Sequence, residues 1–117
     1  MPHAVILGAK TCPAFGPAPM GRAGTTLHKV GEVAETHAGW LLKSFVVSHG
    51  VSTKFFTRLD RREDGLLVHI DDHIHVERTP LIFDHLGLIA RRVLDANPGS
   101  KLGATNLQDH IPAALPA

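Results

Sequence analysis

Residues 51–60 constrain the fold more than any other stretch. Val51, Thr53, Phe55, Thr57 and Leu59 alternate with Ser52, Lys54, Phe56, Arg58 and Asp60, and a period of two belongs to an extended chain with one drier face. The polar run Asp60-Arg61-Arg62-Glu63-Asp64-Gly65 comes next and ends in Asp-Gly, a pair suited to a tight hairpin. Leu66, Val68 and Ile70 then share a face again. The segment predicts an antiparallel hairpin whose apolar side needs a second layer.

Helices are expected to supply that layer. Thr79 is a good N-cap, Pro80 is tolerated in a first turn, and Ile82, Leu86, Ile89 and Val93 recur at i, i+4, i+7 and i+11 until Asn97-Pro98-Gly99 stops the pattern. A second helix is read over 25–38, where Leu27, Val30, Ala34, Ala38 and Leu41 come every three or four residues behind Thr25 or Thr26 as N-cap. Gly39 ends it, because glycine costs about 1 kcal/mol inside a helix and the β-favouring Trp40, Phe45, Val46 and Val47 come directly after. One helix continued to Gly50 is the alternative. Residues 4–8 read as a short strand, and Pro13, Gly16, Pro17, Pro19, Gly21 and Gly24 turn the stretch after it into a long loop. The expected fold is α+β: one mainly antiparallel sheet with helices packed on one face, a two-layer sandwich. It divides into a Gly/Pro-rich N-terminal arm with a short strand (1–24), a single α+β domain (25–102) and a C-terminal tail (103–117). The 117 residues suffice for one core.

Charge narrows the partners. Twelve Lys and Arg against eleven Asp and Glu leave a net charge of +1, too small a field to capture nucleic acid. Arg58, Arg61, Arg62, Arg91 and Arg92 are interleaved with Asp60, Glu63, Asp64, Asp84 and Asp95, so they read as solvated faces. The apolar run Ala4–Leu7 is shorter than a signal-peptide core, and residues 40–47 are broken by Lys43 and Ser44, so no membrane partner is expected. Cys12 is the single cysteine, which forbids an internal disulfide and fits a reducing cytoplasm. Gly16–Ala23 has the glycine spacing of a phosphate loop. However, Arg22 and Ala23 stand where lysine and a hydroxyl belong, and Pro17 and Pro19 remove backbone donors.

Histidine is the outlier. The chain has nine and no tyrosine, and imidazole is the side chain that ordinarily titrates near neutral pH. If residues 68–77 form one continuous strand, His69, Asp71, His73, His75 and Glu77 project from one face and Val68, Ile70, Ile74 and Val76 from the other. Same-face neighbours lie about 6.8 Å apart, so only adjacent ones converge on an ion. His73-x-His75 is the best pair, with Asp71 or Glu77 as third ligand and His49 and His85 the other available imidazoles.

These residues support two readings. In the first, the chain is a small cytoplasmic binding or assembly module with a His/Asp-rich polar sheet face. It forms a homo-oligomer or holds a small-molecule ligand, has no cofactor, and its clustered histidines tune association between about pH 5 and 7. In the alternative, it is a metal-dependent enzyme in which His73, His75 and Asp71 or Glu77 bind a divalent ion, zinc or iron, while His69 or His49 transfers protons.

Overall fold

A computed structural model of the chain describes residues 1–23, 25–71, 77 and 79–113. Strands β1 (His3–Leu7), β2 (Gly21–Ala23), β3 (Thr26–Glu35), β4 (Gly39–Ser48), β5 (Val51–Arg61) and β6 (Gly65–Ile70) precede helix α1 (Pro80–Ala96), and β7 (Lys101–Thr105) comes after it. The strands make one antiparallel sheet in the order β2-β3-β4-β5-β6-β1-β7. Its hairpins have local causes. His49 and Gly50, with φ of 52° and 77°, turn β4 into β5, as a two-residue loop with both central residues left-handed requires. At the β5–β6 turn the Arg62 amide donates to the Gly65 carbonyl at 2.8 Å. A Cβ on Gly65 would overlap the Ile6 carbonyl oxygen of the neighbouring strand, so only glycine lets β1 pass that close.

The two-layer sandwich with several helices does not form. Among the described residues α1 is the only helix, and the fold is mainly β. Residues 25–38 are not helical: they contribute β3 and the turn into β4. The strand also carries a bulge. Thr26, His28 and Val30 face inward on even numbers, but the register shifts between Val30 and Glu32, and Val33 is then opposite the inward Leu42. The helix-like spacing joins residues from both faces: Leu27 points outward, Val30 inward, and Ala34 is opposite the outward Leu41. Two of the inward positions are also polar, which hides the alternation.

The core lies between α1 and the inner face of the sheet. Ile82, Leu86, Ile89 and Val93 are buried against Ile6, Leu42, Phe55, Leu59, Leu66, Val68 and Ile70. Each such side chain contributes about 1.5–3 kcal/mol when withdrawn from water. Asn97 ends the helix and ties it to the N-terminal loop. Its Oδ1 accepts from the amides of Lys10 and Thr11, and its Nδ2 donates to the carbonyls of Thr11 and Val93. Beyond β7, Leu107 is fully buried, and a Cβ on Gly87 would overlap the His110 carbonyl oxygen, so the C-terminal segment lies directly on the helix. No helix among the described residues is long and apolar enough to cross a membrane.

Candidate functional sites on the two faces of the sheet

Strand parity sorts the polar side chains into two groups. On the outer face, Arg58 of β5 is opposite His69 of β6, and His69 is opposite His3 of β1. Asp60, two residues along from Arg58, meets both: its carboxylate lies 3.2 Å from Arg58 Nε and 2.6 Å from His69 Nε2. Arg58 Nη1 is 3.6 Å from Asp71. The guanidinium is held above its ordinary pKa, chiefly by the hydrogen bond it donates to Asp60, so the two carboxylates and the guanidinium form one partly buried network.

The residues singled out from sequence are dispersed. His69 and Asp71 are the two in this network. Strand β6 ends at Ile70, although the Asp71 amide still donates to the Phe56 carbonyl at 2.8 Å. His73 and His75 lie outside the described residues. Glu77 is exposed just ahead of the N-cap Thr79. His49 occupies the exposed β4–β5 turn, roughly 23 Å along β5 from the rung that carries Arg58 and His69. Among the described residues no three His, Cys, Asp or Glu side chains are grouped to hold a metal ion. Cys12 is half-buried, and burial, helped by Glu35, pushes its thiol up to about 11, far from a reactive thiolate.

The inner face holds the group that sequence reasoning missed. His28 of β3 and His85 of α1 are 3% and 0% exposed, and their Nδ1 atoms are 3.1 Å apart. One ring must donate its Nδ1 proton to the other, so at least one of the two is neutral on that nitrogen. Burial drives the His85 pKa down to about 3, with the neighbouring His28 adding to the effect. Burial lowers His28 as well, partly offset by Asp84. The Phe55 ring stands edge-on to His85, with centroids 5.1 Å apart. Two more polar couples share this side of the sheet: Ser44 and Thr57 hydroxyls at 3.0 Å, and Thr26 and Ser48 at 3.2 Å. One signal was available in the sequence. His85 falls three residues after Ile82 and four before Ile89, on the apolar stripe of the helix.

A cavity of about 200 Å³ is lined by Val46, Ser48, Val51 and Thr53 of the β4–β5 hairpin and by Thr79, Leu81 and Ile82 at the helix start. Comparison with known proteins adds nothing to this geometry: no family model, curated protein or solved structure matches the chain.

Proposed function

We propose that the chain is a non-catalytic binding and assembly module that pairs with a second copy of itself through the outer face of its sheet. One observation carries this reading: Leu41, Phe45, Val47, Phe56 and Leu67 are only half-buried on that face, while the only described helix packs on the opposite one. Charge supports a second copy as the occupant. Lys29 and Lys54 flank Phe45 toward the β4–β5 turn, whereas Asp60 is opposite Gly39 at the other end of the face. A two-fold apposition brings these lysines toward Asp60 and sets the apolar rows against each other. The cytoplasm is the compartment this reading assigns, on the strength of a lone, unpaired Cys12. Metal-dependent chemistry depends on His73 and His75, and no described residue adds support to it.

Sedimentation measurements from about 1 to about 100 µM protein, a range that brackets micromolar self-association, test the proposal. The expected result is a dimer that Phe56→Glu weakens at least a hundredfold, since a charge would be buried in the apolar rows. A wild-type chain that stays monomeric throughout that range sinks it.

A further inference from the structure

The two ends of α1 are secured unequally. At the C-terminal end the Asn97 side chain makes hydrogen bonds with Lys10, Thr11 and Val93, and Ile89, Ala90 and Val93 are fully buried. At the start, Thr79 makes no side-chain bond to the helix amides, no acidic residue stands in the first turn, and Thr79, Leu81 and Ile82 border the cavity. Gly87 lies between the two regions. Its close approach to the His110 carbonyl oxygen requires glycine there, and glycine weakens a helix interior by about 1 kcal/mol relative to alanine.

Among the described residues, the one polar tie between these first turns and the sheet is the contact of His85 with His28. It needs one Nδ1 that carries a proton and one that is bare. When both rings are cations each Nδ1 carries a proton, and the contact becomes a repulsion in a dry interior. The surroundings do not relieve it. Strands β4 and β5 present Ser44, Val46, Phe55 and Thr57, and β6 and β1 present aliphatic side chains. His85 Nε2 is itself buried without a partner among the described residues. The neighbouring carboxylate, Asp84, is half-exposed and pairs with His110 of the C-terminal segment at 2.7 Å, although its field also reaches His28.

We infer that acid opens the protein locally: residues 80–86 come away from the sheet about Gly87, exposing the polar inner positions of β3–β5 to water, while the rest of the helix stays docked through Asn97. In the closed form His85 resists protonation until about pH 3, and burial lowers His28 in the same direction. In the opened form both rings return to ordinary affinity near pH 6.5. Opening therefore takes up protons, gains nothing above that pH, and becomes steadily more favourable as the pH falls below it.

Amide exchange followed by NMR at about pH 7 and about pH 5, expressed as protection factors so that the intrinsic pH dependence of exchange is removed, tests this. Protection of residues 83–87 should fall at least about tenfold between the two, while that of Phe55, Thr57 and Leu59 and of residues 89–93 holds. His85→Phe keeps a ring in the core and cannot take up a proton, so it should abolish the fall. Should that variant fail to fold, His28→Leu, which removes the repelling partner on β3, should reduce it, and if neither folds the wild-type contrast between the helix start and β5 decides. Equal loss of protection in β5 and in residues 83–87 would mean that acid acts only through global unfolding, and it overturns the inference. So does a helix start whose protection is independent of pH, or a fall retained in full by either variant.

Discussion

The two halves of the helix–sheet interface are built differently. On the β6–β1 side, α1 meets Ile6, Leu66, Val68 and Ile70, all aliphatic and essentially inaccessible to solvent. On the β3–β5 side the inward positions include Thr26, His28, Ser44 and Thr57, joined in hydrogen-bonded couples. The first half stabilises by area and tolerates little loss of volume. The second half gains only about 1 kcal/mol net from each bond, yet losing one partner strands the other in a dry interior. Buried polar couples are thus set into the apolar core at the β3–β5 end of the sheet and not at the β6–β1 end.

The comparison can be broken most directly in the aliphatic half. Leu66→Ala, on β6 opposite Ile6, should cost about 2–5 kcal/mol in chemical denaturation, with the midpoint falling and the slope unchanged. A cost under about 1 kcal/mol would mean that this half is not the stabilising one.

Acid sharpens the contrast next. In the unfolded chain His85 takes up a proton near pH 6.5, whereas in the folded protein it resists protonation until about pH 3. Folding stability is therefore complete above pH 6.5 and declines as the pH falls toward 3, by up to about tenfold in the folding constant for each unit. His28, shifted in the same direction, adds to the decline. His85→Phe should flatten that limb, and an unchanged slope between about pH 6 and about pH 4 would place the acid sensitivity elsewhere.

The smallest effect belongs to a pair of variants. Thr57→Val leaves the Ser44 hydroxyl without its side-chain partner and should cost about 1–3 kcal/mol. The double variant Ser44→Ala, Thr57→Val removes both groups and should recover most of that loss. Additive losses would show that the hydroxyls do not act as a couple.

The same division explains what the sequence could reveal. Helix α1 was legible because its cap, its proline and its stripe agree, and Ile82, Leu86, Ile89 and Val93 are all buried. Strands β5 and β6 were legible because their inward residues are mostly apolar. Strand β3 was not, since a bulge interrupts its alternation, its apolar residues Leu27 and Val30 lie on opposite faces, and Thr26 and His28 occupy core positions normally read as surface. The outer network was partly legible: parity correctly places His69 opposite Val68 and Ile70, but Asp60, its 2.6 Å partner, lies nine residues away on the next strand. The dyad joins residues 57 positions apart, a proximity that no local pattern encodes.

Strand β1 is synthesised before the other described strands, and it ends up inside the sheet, with His3 paired to His69 and Ala4 to Thr105. Its two edges must wait for partners made much later, so the nascent chain carries an unsatisfied, apolar strand until β6 and then β7 are complete. Long-range closure of this kind slows folding, and the interval before β7 arrives is when this protein is most exposed to sticking to its own unfinished neighbours.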